Sequence, residues 1–240
     1  MSRDDVASRL QALDASSAPL VVRFDPGPQL ASRVAVLPSA FNPPTTAHLG
    51  LLELAHGRPG TGTMAALLST RNVDKGLFGA GLPDRVGMLL AARDAVPGLV
   101  VLASNAARIA DQAAALRAAF PAHEFDFVVG HDTLVRLFDS RYYEDMAETL
   151  AQFFARHRVF ASNRGSASLT DVAAFLERAD VLPYRDRVLL LELDKARASL
   201  SSTAVRTGLD HAIEPVVPSV ARYIAEHQLY AADAGSLRRG

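Results

Sequence analysis

The chain contains no cysteine, which removes disulfides, zinc–thiolate centres and thiol nucleophiles from consideration. It contains no tryptophan either, so aromatic contacts fall to its 11 phenylalanines and 5 tyrosines. Neither sign of charge is in excess. With 25 Lys and Arg against 26 Asp and Glu the formal net charge is −1, so no global basic field points to nucleic acid, and any anion must be met by local groups. No apolar run reaches the length needed to span a bilayer. The stretch Met1-Ser2-Arg3-Asp4-Asp5 has no apolar signal core behind it, and the expectation is a cytoplasmic chain with neither membrane nor nucleic-acid partners. At 240 residues there is enough sequence for one large domain, or one domain with a small appendage.

From Arg33 onward, apolar runs alternate with helical stretches. The runs are Val34–Leu37, Met64–Leu68, Leu99–Leu102, Phe125–Val129, Arg158–Ala161 and Val188–Leu193. Between them the spacing predicts helices over His48–His56, Asp84–Val96 with Asp84 as N-cap, Ala106–Phe120, Asp132–Phe138, Asp145–His157 and Thr170–Arg178. Strands alternating with helices imply an α/β fold: a doubly wound, mostly parallel, Rossmann-like sheet covered on both faces. Ligands in such folds bind beyond the carboxyl ends of the strands. Several polar clusters sit there: Ser39–His48, Ser69–Lys75, Gly130–Asp132 and Asn163–Gly165. The domain is expected over residues 31–230. Residues 1–30 are read as an N-terminal extension, with a short helix over Asp5–Leu13 and an apolar run from Pro19 to Phe24. A small helical part occupies about 199–230, where Ser199–Gly208 turns from loop to helix and Val216–His227 is apolar-faced. Residues 231–240 form a tail.

Two clusters carry the chemistry. In Ser39-Ala40-Phe41-Asn42-Pro43-Pro44-Thr45-Thr46-Ala47-His48, a strand ends and a helix begins. A helix start offers unpaired N–H groups and a positive dipole end, an anion site. Thr45 and His48, three apart, can face one bound group; they could equally be an ordinary N-cap and a surface histidine. The second cluster is Ser201-Ser202-Thr203-Ala204-Val205-Arg206. Its hydroxyls and N–H groups suit phosphate oxygens, and its guanidinium suits their charge; taken alone, it reads as readily as an ordinary Ser-capped helix with a solvated arginine. The glycines at 76, 79 and 81 lack the spacing of a dinucleotide fingerprint and are read as a loop.

Together, Asn42-Pro43-Pro44-Thr45-x-x-His48 and Ser201-Ser202-Thr203-x-x-Arg206 resemble the paired signatures of the nucleotidyltransferase superfamily. The Thr-first form, with Phe-Asn-Pro-Pro before it, looks most like nicotinamide- or nicotinate-nucleotide adenylyltransferases. Asn72-x-Asp74-Lys75, Pro83-Asp84-Arg85-Val86-x-Met88-Leu89, Val129-Gly130-His131-Asp132-Thr133-Leu134-x-Arg136-Leu137-Phe138, Asn163-Arg164-Gly165 and the C-terminal Val216-x-Pro218-x-Val220-x-x-Tyr223-Ile224 are also similar to segments of that family. The resemblance runs from about residue 33 to 230. There are two departures, Ser39 and Ala47, where relatives carry glycine that would let a phosphate approach the backbone.

What the resemblance implies is transfer of AMP from ATP to the phosphate of nicotinamide (or nicotinate) mononucleotide, giving the dinucleotide and pyrophosphate by direct in-line attack. His48, Thr45 and Arg206 would be catalytic. His48 would donate to the α-phosphate and Thr45 would orient it. Ser201, Ser202, Thr203 and Arg206 would hold the departing phosphates. Ser39, Phe41, Asn42, Lys75, Gly130, Asp132 and Arg164 complete the expected ATP- and phosphate-binding set. Magnesium is expected on the polyphosphate, with no carboxylate cage in the sequence to hold it. Phe138, Tyr142, Tyr143 or Phe153 would have to stack the pyridine ring. Transfer to another acceptor such as phosphopantetheine or FMN, use of CTP, or a non-catalytic nucleotide-binding regulatory protein remain alternatives. A homo-oligomer is left open.

Overall fold

A computed structural model of the chain describes residues 1–27, 29–71, 79–163, 167–207 and 214–230. Seven strands run β1 (Val21–Arg23), β2 (Arg33–Ser39), β3 (Thr63–Ser69), β4 (Val100–Ser104), β5 (Glu124–Gly130), β6 (Arg158–Ser162) and β7 (Val188–Leu191). The helices among the described residues are α1 (Arg3–Ala15), α2 (Thr46–His56), α3 (Leu82–Ala92), α4 (Ile109–Ala119), α5 (His131–Leu137), α6 (Met146–Phe154), α7 (Leu169–Leu176), α8 (Lys195–Ala198), α9 (Ser202–Arg206) and α10 (Pro218–Glu226).

The sheet order is β1-β4-β3-β2-β5-β6-β7. All neighbours are parallel except β1, which pairs antiparallel with β4 through Val21 and Ser104. Strand residues alternate between the two faces, and the core divides accordingly. Ala35, Leu37, Ala66, Leu68, Val101 and Val128 pack on one side with helices α1, α2, α3 and α10. Val34, Val36, Leu67, Leu102, Phe127 and Val159 pack on the other with α4, α5, α6 and α7. That is the doubly wound arrangement expected from runs apolar on both faces.

The parallel strands grow outward from β2 in both directions, and the chain changes direction between β2 and β5. The β2–β5 ladder stops at Val36 and Phe127. β2 continues beside β3 to Ser39, which lies opposite Leu68. The two strands thus part at their carboxyl ends, opening the crevice that such sheets use for ligands.

The opposite end is tied by charge. Asp126, fully buried, receives the Arg33 guanidinium at 2.6 Å and Arg158 at 2.5 Å, and Arg33 also pairs with Glu124.

The extension is woven into the domain. Val6, Leu10, Leu13 and Phe24 are buried in the first core. Asp84 is not the N-cap expected from the sequence: α3 begins one turn earlier, with Gly81 at the cap and a proline in its first turn. The carboxylate of Asp84 instead joins three helices, accepting from Arg3 of α1 at 2.9 Å and from the Tyr223 hydroxyl of α10 at 3.3 Å. No helix among the described residues is long and apolar enough to cross a membrane.

Candidate functional site

β2 delivers the chain to a tight turn before α2. Phe41 takes a left-handed backbone conformation, with φ at +43°, which turns its ring into the core at 1% exposure. There it lies against His48, ring centroids 5.1 Å apart. Thr45 is the N-cap of α2. Its N–H donates to His48 Nδ1 at 2.9 Å, and its hydroxyl oxygen lies 2.8 Å from the same nitrogen. An N–H can only donate, so Nδ1 accepts and the proton of the neutral ring sits on Nε2. That nitrogen is 3.2 Å from the Ser39 hydroxyl.

The second motif reaches the same turn from far along the chain. Ser202 Oγ donates to the Pro43 carbonyl at 2.9 Å, and Arg206 donates to the Asn42 carbonyl at 2.5 Å and to Thr203 Oγ1 at 3.2 Å. Ser201 caps α9 by accepting from the Ala204 N–H at 3.1 Å. The start of α2 is closed as well. The Thr46 N–H donates to the Pro215 carbonyl at 2.9 Å and its hydroxyl to the Glu214 carbonyl at 3.1 Å. The expectation of unpaired N–H groups at this helix mouth is therefore not met at Thr46.

The Asn42 side chain is likewise committed. Its Oδ1 accepts from the Ala80 N–H at 3.1 Å and from the Tyr230 hydroxyl at 2.8 Å. Gly79, with φ at +72°, leaves room for this amide: a Cβ there would lie 2.6 Å from Asn42 Nδ2. Arg85, buried, donates to the Ala80 carbonyl at 2.8 Å and to the Ala40 carbonyl at 3.3 Å. Its pKa is lowered by burial and by repulsion from Arg206, against attraction from Tyr230. Two guanidiniums close enough to repel each other give this turn a positive potential.

A cavity of about 420 Å³ opens beside the turn, where β2 and β5 part. Of the residues expected from the sequence, Ser39, Gly130, Asp132 and Ser201 line it. Thr45, His48, Phe41, Asn42, Ser202, Thr203 and Arg206 do not; they form the bonded layer beside it. Phe41 and Asn42, expected among the ATP contacts, have side chains that hold the turn. Gly130 is the N-cap of α5, and the Asp132 carboxylate in its first turn is 84% exposed. Lys75 and Arg164 lie outside the described residues.

The cavity also gathers residues outside the expected binding set: Ser69 and Arg71 of the polar cluster after the second apolar run, Thr133 and Arg136 of the Val129–Phe138 motif, and Gln112, which no motif contains. That cluster was the one signal available for Arg71. Gln112 donates to Ser69 Oγ at 3.1 Å and to the Ala106 carbonyl at 3.0 Å, and its buried Oε1 has no hydrogen-bond partner among the described residues.

Of the four aromatic candidates, Phe138 and Phe153 are in the core, packed on Phe154. Tyr142 and Tyr143 instead wall a smaller cavity of about 60 Å³, which shares Ala107, Ile109, Thr133 and Arg136 with the large one. The Tyr143 hydroxyl donates to the Leu137 carbonyl at 2.8 Å, and burial pushes its pKa up to about 12. Among the described residues no three acidic or histidine side chains cluster as metal ligands.

No family model matches the sequence. A Schizosaccharomyces pombe protein described provisionally as a nicotinamide mononucleotide adenylyltransferase is 30% identical over 150 residues, which cover 60% of this chain and 59% of that one. The chain has the same fold as the nicotinic acid mononucleotide adenylyltransferase of Plasmodium falciparum. That enzyme complexed with NaAD superposes with a TM-score of 0.61 at 15% identity, over 83% of this chain and 98% of that one. Complexed with APC it gives 0.60 at 14% identity over the same shares. The fold is therefore the one that this enzyme adopts, and over 150 residues the sequence is similar to that of the S. pombe protein.

Proposed function

We propose that the chain transfers AMP from ATP to the phosphate of nicotinamide or nicotinate mononucleotide, releasing pyrophosphate. One observation supports this above the others. Two polar motifs 159 to 164 residues apart are hydrogen-bonded to each other at the point where the sheet changes direction, beside a cavity of nucleotide size. The mononucleotide adenylyltransferase relatives are consistent with it.

The chemistry needs no side-chain nucleophile. The acceptor phosphate is already an anion and attacks the α-phosphorus; the bond to the β-phosphate oxygen breaks, and pyrophosphate leaves with the electron pair. The protein has to align the two phosphates and stabilise the charge that gathers on the α-phosphate oxygens. His48, its tautomer set by Thr45, supplies a proton donor on that side. Ser201, on the cavity wall, would meet the departing phosphates; Ser202, Thr203 and Arg206 brace the turn beside it, and Arg206 and Arg85 add to the positive potential that favours ATP's arrival. Gly130 and Asp132 meet the nucleotide's ribose and base. Tyr142 and Tyr143 border the annex in which a pyridine ring would be flanked. Among the described residues the cavity wall offers Asp132 as a single carboxylate, too few for a protein-built cage; magnesium would arrive on ATP, with phosphate oxygens and water as its ligands.

Pyrophosphate release, measured with ATP and Mg²⁺ against a panel of acceptors, tests the proposal. Nicotinamide or nicotinate mononucleotide should give the highest kcat/KM. A higher value with phosphopantetheine or FMN would reassign the acceptor. ATP binding without release on any acceptor would make the chain a nucleotide-binding protein instead.

A further inference from the structure

We infer that Ser39 is the hydroxyl through which His48 acts on the phosphate being transferred. The inference rests on the adenylyl-transfer reading and adds to it a residue in a specific role.

His48 is 1% exposed and does not line the cavity, whereas Ser39, half-buried, does. The hydroxyl lies 3.2 Å from His48 Nε2, the ring nitrogen that carries the proton once Nδ1 accepts from the Thr45 N–H. The Ser39 oxygen is therefore the acceptor of this bond, and its own proton is left to point elsewhere. On one side of Ser39 is the imidazole; on the other is the space that would hold the α-phosphate. A hydroxyl that accepts from an N–H becomes a stronger donor in turn, because hydrogen bonds in a chain polarise one another. The line thus runs Thr45 N–H to His48 Nδ1, His48 Nε2–H to Ser39 Oγ, and Ser39 O–H to a non-bridging oxygen of the α-phosphate.

No proton changes owner along this line. The bond from the acceptor oxygen to phosphorus forms and the bond to the β-phosphate oxygen breaks, while the Ser39 donor strengthens as negative charge grows. Donors fixed in advance on such an oxygen act mainly in the transition state. A residue that only fills the space of a glycine would do none of this, so the two roles separate cleanly.

The experiment compares Ser39→Ala, Ser39→Gly and Ser39→Thr in the full chain, with whichever acceptor releases pyrophosphate. Ser39→Ala should lower kcat by about 10–10²-fold, with little change in KM for ATP, as for loss of a transition-state donor. Ser39→Thr, which restores the hydroxyl, should recover most of that loss. Wild-type kcat in Ser39→Ala, or a kcat above wild type in Ser39→Gly, would overturn the inference; the second result would mark Ser39 as an obstruction. A further arm reads binding alone and needs no turnover. Titrating ATP with Mg²⁺ into ¹⁵N-labelled protein should shift the His48 Nε2 resonance in the wild type and shift it much less in Ser39→Ala. Equal shifts would overturn the relay even if every acceptor in the panel failed and the adenylyl-transfer reading fell with them.

Discussion

At the scale of single residues, His48 illustrates how a histidine is made into a one-sided donor. Its ring is backed by Phe41, gripped at Nδ1 by the N-cap of its own helix, and turns its one N–H to the Ser39 hydroxyl. Replacing it with alanine should reduce turnover by about 10²–10³-fold, the usual scale for a donor aimed at developing charge. Steady-state kinetics at saturating ATP check this, and near-wild-type kcat would remove His48 from its role. The two polar motifs that the structure bonds to each other were legible in the sequence because their residue types are informative in themselves. What each residue touches was not. Nothing in the spacing shows that Asn42 is spoken for by Tyr230 and Ala80, or that Thr46 is capped by Pro215. Those partners are distant in sequence and belong to segments with no phosphate signature.

At the scale of elements, periodicity placed the six parallel strands well, since each is an apolar run buried on both faces. It did not place β1. Three residues carry too little pattern to be distinguished from an apolar loop, and the strand exists through its pairing with β4. Asp84 misled for a related reason: it is a good cap type, but Pro83 is also acceptable inside the first turn, and α3 begins before both.

One side chain gathers the turn of the extension between α1 and β1. Asn105, just past β4, accepts from the Leu20 N–H at 2.7 Å and donates to the carbonyls of Leu13, Ser16 and Ala18 at 3.0–3.1 Å. Close by, Arg71 of the cavity wall donates to the Asp14 carbonyl at 2.6 Å. Asn105→Ala removes all four Asn105 bonds and should cost about 1–3 kcal/mol of unfolding free energy, the penalty of stranded polar groups. Urea denaturation measures it, and a loss within error of zero would show that water replaces the amide without cost.

At the scale of the molecule, two buried groups set the response to acid. His157, 5% exposed, has its pKa lowered by burial, in spite of the bond between its Nδ1 and the Phe125 carbonyl at 2.8 Å. The unfolded chain takes up its proton near pH 6.5 while the folded ring resists. Stability should therefore fall as pH drops below about 6.5, and stop falling at the folded pKa. Asp25 acts lower down. Burial alone would raise its pKa, but hydrogen bonds from Arg23 and from the N–H groups of Val101 and Gly27 outweigh burial and lower it. Its contribution is present above about pH 3.9 and is lost as pH falls through the folded value. Unfolding midpoints from pH 8 to 3 should show both declines, and His157→Gln should abolish the first alone. A flat midpoint between pH 7.5 and 5.5 in the wild type would contradict the assignment. Neither group was legible as special, because burial of one histidine or one aspartate depends on how the sheet is covered.

The bracing of the 42–46 turn from the far end of the chain also bears on synthesis. The turn leaves the ribosome early, but its supports, from Ser202 and Arg206 to Tyr230, follow 159 to 188 residues later. At 5–20 residues per second that delay is roughly ten to forty seconds for the last of them. A nascent chain can pair β2 with β3 during that interval, but the 42–46 turn stays unbuttressed. The bracing of the turn is thus complete only once Tyr230 has emerged, and a chain stalled before that residue carries the sheet without the full set of supports.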